Sequence, residues 1–256
     1  MTGLGIATDA LVNDGIVRRA RDRDRVVIET PSRRDFWFGH GFVLDAPPDA
    51  ARVAALVEEG RARFGALGAA RFVVQWERAH GAPHVAVDVP DGSVRERSLV
   101  MVYDGPVPQP DRRVVDHGTE YWDDAAALAS EEYPEFGDFT RWRFDCVRRD
   151  VRRGRARVVG IREDGRLLNT VGLYRGDGIA RFMTPVTRPG ERGRGLFGAC
   201  ARTLIAWANA DAPRRVAIAA DPDDGPVELY RRVGFVPASY VDAVIVAVAP
   251  PAGGAV

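Results

Sequence analysis

Apolar positions change their spacing several times along the chain, and each change predicts an element. "RVVIE" (25–29) is a compact β-branched run and predicts a strand. In "DFWFGHGFVLD", Phe36, Trp37, Phe38, His40 and Phe42 cluster between acids and are expected in the core of the N-terminal part. "PPDAARVAALVEEGRARFGALG" sets Val53, Leu56, Val57 and Phe64 on one helical stripe, with Pro47 and Pro48 before it and Asp49 as N-cap. "ARFVVQWE" and "RERSLVMVY" return to strand character. The first two dozen residues, polar and rich in Asp and Arg, predict an irregular or loosely helical lead-in.

The proline-rich "DGPVPQPDRR" (104–113) reads as a linker and places a boundary near Asp111. Beyond it, "EYWDDAAALASEEY" and "TRWRFDCVRRDVRRG" predict two helices, the second closed by Gly154. "RARVVGIREDGRLLNTVGLY" holds two strand-like runs around Asp164-Gly165, a hairpin-turn signal. "GIARFMTPV" gives a third strand and "LFGACARTLIAWANAD" a helix. Strand "RRVAIAAD", short helix "GPVELYRRVG" and two closing strands in "FVPASYVDAVIVAVA" complete the pattern. An α/β chain of α+β type is expected, its two domains spanning 1–110 and 111–256.

Composition narrows the classes of function. The 256 residues carry a formal charge of zero, so no overall field gathers nucleic acid or an anionic membrane. The basic run "RRDVRRGRARV" reads as a solvated helix end, where arginines favour the dipole. Every basic residue is Arg, which leaves no lysine for Schiff-base chemistry. Cys146 and Cys200 are expected as small core residues in a reducing compartment. No apolar run reaches the roughly 20 residues that span a bilayer. The start lacks a basic-then-apolar leader, so a soluble, cytoplasmic protein is expected. His80 and His84 are separated by Gly81 and Pro83, which spoil a helical metal pair, so no metal is expected.

Candidate chemistry concentrates in "RPGERGRGLFGAC" (188–200). Gly193, Gly195 and Gly198 spell G-x-G-x-x-G, a dinucleotide-binding turn. Arg192 and Gly195 also begin R-x-x-G-x-G/A, a loop that cradles the pyrophosphate of coenzyme A. Both readings place an anion at a helix N-terminus, where free N–H groups and the dipole favour it. For the dinucleotide reading, Asp221 follows the next strand at about the place of a ribose-binding acid. Against it, "TRPGER" separates the strand from the glycines, and several further strands would have to follow.

The surrounding residues resemble the GNAT N-acetyltransferase family. Its strand–"P-x-x-R-x-x-G-x-G/A"–helix unit is matched by Pro189, Arg192 and Gly195. The later element, roughly N-x-x-A-x-x-L-Y-x-x-x-G-F, is matched by Leu229, Tyr230, Gly234 and Phe235. Phe197 stands where the loop has Gly or Ala, Asp223 where the helix has Asn, and Pro226 where it has Ala. The resemblance covers about residues 114 to 250 and implies a GNAT acyltransferase fold, a mixed central sheet with flanking helices, preceded by a smaller α/β domain. That first domain has no R-x-x-G-x-G/A of its own, which suggests a degenerate, tandem arrangement.

The resemblance implies acetyl-CoA as co-substrate and N-acetyl transfer to an amine. Backbone N–H groups of Arg192, Gly193, Arg194, Gly195, Leu196 and Phe197 would hold the pyrophosphate. Pro185, Val186 and Thr187 would line the pantetheine, with the Thr187 N–H near the thioester carbonyl, and Asp223 would sit beside the cofactor. Tyr230 would be the general acid, since a phenol (about 10) and a thiol (about 8.5) are matched for proton transfer. Glu131, Glu132, Glu135 and Asp138 are candidates for a base, and a water chain is another. A small-molecule amine is the expected partner, with no nucleic acid and no membrane, and the chain a monomer or homodimer. A non-catalytic acyl-CoA sensor and an NAD(P)-dependent oxidoreductase remain as alternatives.

Overall fold

The structure, a computed structural model, describes residues 3–84, 87, 89, 91–117, 121–132, 134 and 137–248. In chain order these form α1 (Leu4–Val12), β1 (Arg18–Asp22), β2 (Arg25–Glu29), a 3-10 turn (Trp37–Gly39), β3 (Gly41–Leu44), α2 (Ala50–Ala66), β4 (Arg71–Ala79) and β5 (Val94–Tyr103). There follow β6 (Val114–Asp116), α3 (Trp122–Glu132), α4 (Gly137–Arg152), β7 (Ala156–Glu163), β8 (Arg166–Arg175) and β9 (Ile179–Thr187). The chain continues through a second 3-10 turn (Pro189–Glu191), α5 (Leu196–Ala208), β10 (Arg215–Ala220), α6 (Pro226–Val233) and β11 (Phe235–Ala247).

Two compact units share the chain, one of residues 1–100, 219–224 and 237–256, the other of 101–218 and 225–236. The boundary expected near Asp111 is a single cut, whereas these units are discontinuous and the chain enters the first again after Ile218.

In the first unit the strand order is β1-β2-β3-β4-β11-β5, with β3 parallel to β4 and β4 antiparallel to β11. Helix α2 starts as its sequence dictates: the Asp49 carboxylate accepts the Arg52 N–H at 2.7 Å. Its stripe Val53, Leu56, Val57 and Phe64 is buried against Phe42 and Phe72, with the Phe64 ring 5.3 and 5.2 Å from those two. Phe36 and His40 are buried as expected, while Trp37 and Phe38 are half-buried.

Two local expectations need correction. The lead-in forms a regular helix, α1, whose first N–H groups, from Gly5 and Ile6, both donate to the Glu77 carboxylate at 2.9 Å. That cap lies 72 residues away in sequence, so no local signal announces it. The closing segment is one strand, β11, not two. Its polar residues read as a break, but Ser239 and Asp242 find partners on β4: the Ser239 hydroxyl donates to Glu77, and Asp242 pairs with Arg78. Pro237 lies ahead of the stretch paired with β4, which begins at Ser239↔Ala79, so it breaks no bond of that ladder. The short strands β1 and β6, largely solvent-facing, carry too little apolar pattern to be read.

In the second unit the order is β10-β9-β8-β7-β6, antiparallel except for the β9–β10 pair. The β7–β8 hairpin turns at Asp164 (φ 49°) and Gly165 (φ 77°), both left-handed, as an Asp-Gly two-residue turn requires. Helices α3 and α4 pack Trp122 edge-on to Phe144, centroids 5.8 Å apart. Gly154 takes φ 70° just past α4. Helix α5 buries Leu204 and Ile205 completely and Cys200 with them. Both cysteines are buried and free, and burial pushes the Cys200 thiol up to about 12.

Candidate active site

The site begins where two parallel strands part. The β9–β10 pairing runs from Ile179↔Arg215 only to Arg181↔Ala217, while β9 continues to Thr187. One edge of β9 from Phe182 onward is therefore unpaired with β10, leaving backbone donors and acceptors for a ligand that can bond like a strand. On its other edge β9 stays bonded to β8, with a register shift opposite Thr170–Gly172. Within that shift Thr184 adopts φ 45°, a left-handed conformation costly for a β-branched residue and common where sites are shaped.

Pro185, Val186 and Thr187 occupy the last three positions of β9. The Arg188 N–H donates to the Leu168 carbonyl at 3.0 Å, on the β8 side. Strand alternation therefore turns the Thr187 N–H and C=O to the open side. The Thr187 carbonyl accepts there from Arg192 Nε at 3.3 Å.

The loop that follows is built for close approach to its backbone. Gly193 and Gly195 have φ 81° and 73°, and a Cβ placed on either would meet nothing within 4 Å. Gly195 is the N-cap of α5 and offers no side-chain cap. The Ala199 N–H makes the first intrahelical bond, to Gly195 O at 3.1 Å, so the N–H groups of Leu196, Phe197 and Gly198 form the uncapped first turn. Backbone dipoles thus converge on open space at the end of the unpaired strand edge.

Phe197 does not enter that space. Its side chain is 5% exposed and packs on Phe182 and Tyr230, ring centroids 6.2 and 5.2 Å away. Tyr230, on α6, is 4% exposed and also meets Phe235 at 6.3 Å. Short helix α6 buries only Val227 and Tyr230, and Gly234 ends it at φ 108°.

The arginines of the loop are all engaged by carboxylates. Arg188 Nη1 lies 2.5 Å from Glu131 and Arg192 Nη2 lies 2.6 Å from Glu132. Arg194 Nη2 lies 2.7 Å from Glu163, and its other amino group pairs with Glu191. Two of the candidate bases, Glu131 and Glu132, are thus ion-paired to the loop. Glu135 lies outside the described residues, and Asp138 is exposed in the first turn of α4. Arg188 went unremarked in the sequence, since its role depends on an acid 57 residues earlier.

Asp223 belongs to the first unit, where its N–H donates to the Asp221 carboxylate at 2.9 Å. Both line a cavity of about 320 Å³ together with Trp76, His84, Arg97 and Asp242. The His80 ring stacks on that of Tyr240, centroids 5.5 Å apart. Among the described residues no group of three or more His, Cys, Asp or Glu could hold a metal ion, and no helix is long and apolar enough to cross a membrane.

Comparison with known proteins bears on the fold alone. No protein-family model matches the sequence, and no curated protein matches it. Solved structures do match over nearly the whole chain. A GCN5-related N-acetyltransferase from Kribbella flavida is 20% identical, covering 99% of this chain and 97% of its own, at a TM-score of 0.60. A functionally unknown conserved protein from Staphylococcus epidermidis is 11% identical, with 91% and 95% covered, at 0.67. A tandem GNAT protein from the clavulanic acid biosynthesis pathway is 17% identical, with 92% and 85% covered, at 0.50. The chain has the GNAT N-acetyltransferase fold, as the motifs around Arg192 and Tyr230 imply.

Proposed function

We propose that the protein is an acyl-CoA-dependent N-acyltransferase, moving acetyl from acetyl-CoA to a primary amine by direct attack. The observation that carries this reading is the unpaired edge of β9 running into a glycine loop and an uncapped helix N-terminus within one unit. A pantetheine arm carries amide groups that can bond to such an edge, and a pyrophosphate suits such a terminus. Amides from Arg192 to Phe197 hold the pyrophosphate, and Pro185, Val186 and Thr187 flank the arm. Pro185 has no N–H, so the arm is held by fewer bonds than an unbroken edge would give.

In the reaction the thioester supplies the acetyl group. The amine nitrogen bonds to the carbonyl carbon as the C–S bond breaks, and its proton leaves to solvent. The Thr187 N–H stabilises charge on the carbonyl oxygen, and the Tyr230 hydroxyl gives its proton to the departing sulfur. Neither Glu131 nor Glu132 is assigned as base, because each is ion-paired with an arginine. The amine is a small molecule. The first unit is read as a degenerate relative of the second, and the protein as cytoplasmic.

Thermal unfolding with each ligand tests the cofactor assignment, since a ligand held by the native state alone raises Tm. Acetyl-CoA is expected to raise it, and NAD(P)H to leave it unchanged. The reverse result ends the transferase reading. A thiol-release assay over a panel of amines then separates an enzyme from a sensor that binds acetyl-CoA without turnover.

A further inference from the structure

The C-terminal turn of α3 is locally wrong for a helix. Glu131 and Glu132 are its last two residues, the turn has no basic residue, and the dipole there disfavours negative charge. Their placement is explained by tertiary partners, the arginines of the loop leading into α5. Arg188 is fixed by two bonds, to Glu131 at 2.5 Å and from Nε to the Leu167 carbonyl at 2.8 Å. Arg192 is held by Glu132 at 2.6 Å and, from Nε, by Thr187 O at 3.3 Å. Arg188 is mostly covered, whereas the Arg192 side chain is 56% exposed and so free to change partner.

We propose that Glu132 is a latch on the cofactor loop, competing with the pyrophosphate of coenzyme A for Arg192. This rests on the cofactor assignment proposed above. With the latch closed, the charge of Arg192 is cancelled and an incoming anion meets the backbone amides alone. As the pyrophosphate draws Arg192 to itself, Glu132 loses its partner and the end of α3 keeps only the Glu131–Arg188 tie. Occupancy of the loop is thereby felt at the α3 terminus, and Glu132 acts as a positioning residue that lowers cofactor affinity.

The test measures Kd for coenzyme A by calorimetry on the full chain, for wild type, Glu132→Gln, Arg192→Gln and the double variant. An exposed ion pair is a weak competitor, so Glu132→Gln is expected to tighten binding about two- to fivefold. The gain should vanish in the Arg192→Gln background, because Glu132 acts through that guanidinium. A gain of equal size in both backgrounds is a general charge effect and overturns the latch, as does unchanged or weaker binding by Glu132→Gln. Binding by wild type with either of those results leaves the cofactor assignment standing. Absence of binding in every variant, with Tm unaltered by the substitutions, overturns both.

Discussion

The rings of Phe197 and Tyr230 lie 5.2 Å apart, tilted by 46°, so the residue that departs from the loop motif supports the proposed acid. Phe197 contributes its amide to the first turn of α5 and its ring to the aromatic cluster below, with Phe182 and Phe235 as further members. Removing the ring and removing the hydroxyl should therefore have separable effects. Tyr230→Phe preserves the ring packing and is expected to reduce turnover about 100-fold or more, with coenzyme A affinity unchanged. Phe197→Ala is expected to cost about 3–5 kcal/mol of stability, and Phe197→Leu far less. Turnover equal to wild type in Tyr230→Phe removes that hydroxyl from the mechanism.

Gly195 serves the loop through its backbone. At φ 73° an L-residue is strained, yet a Cβ at this position would meet no atom within 4 Å. Gly195→Ala therefore costs stability only through conformation, about 1–2 kcal/mol. The methyl would stand in the space proposed for the pyrophosphate. Coenzyme A affinity should therefore fall at least tenfold in Gly195→Ala. Gly195→Asn, which tolerates this φ better, should recover stability without recovering affinity. If Asn restores both, the position matters for conformation and not for approach of the ligand.

What was legible in the sequence was whatever is encoded locally. Asp49 capping α2, Asp164-Gly165 turning the hairpin and Gly154 closing α4 are each settled within a few residues. The loop from Arg192 to Phe197 belongs to the same class, since glycines before an apolar run announce a helix start. What escaped depends on distant partners: Glu77 capping α1, Arg78 making Asp242 a strand residue, and Glu131 and Glu132 reaching the loop arginines. The left-handed Thr184 escaped for another reason, because a β-branched residue gives no local sign of positive φ.

Asp242 is the most demanding of those distant pairings. Its carboxylate and the Arg78 guanidinium are 8% and 7% exposed and meet at 2.7 Å, with Arg97 adding a bond at 3.0 Å. Arg78 also lies over the Tyr240 ring, 4.4 Å from its centroid. Asp242→Leu strands a buried cation and is expected to cost about 3–5 kcal/mol in urea unfolding. The double variant Arg78→Met/Asp242→Leu should regain most of that loss. A double variant no more stable than Asp242→Leu would show that packing, and not the unpaired charge, sets the cost.

His117 should give the folded protein a distinct pH dependence. Its ring is buried, with Nε2 3.1 Å from the Thr170 hydroxyl, and burial, helped by the nearby Arg162, lowers its pKa from 6.5 to about 4. Below pH 6.5 the unfolded chain takes up a proton that the folded chain refuses until about pH 4. The unfolded state thus carries more protons throughout that window, and stability rises with pH across it. The contribution is fully present above about pH 6.5 and shrinks by about 3 kcal/mol as pH falls to 4. His40, also buried and lowered by desolvation, adds a slope of the same sign. His117→Gln keeps a hydrogen-bonding group for Thr170 without a titratable one. Urea midpoints measured from about pH 4 to 7 should therefore flatten in His117→Gln, leaving the slope from His40 and, close to pH 4, that of carboxylates such as Asp111 and Asp211, which arginines hold low. A wild-type slope retained in that variant would assign the dependence to other groups.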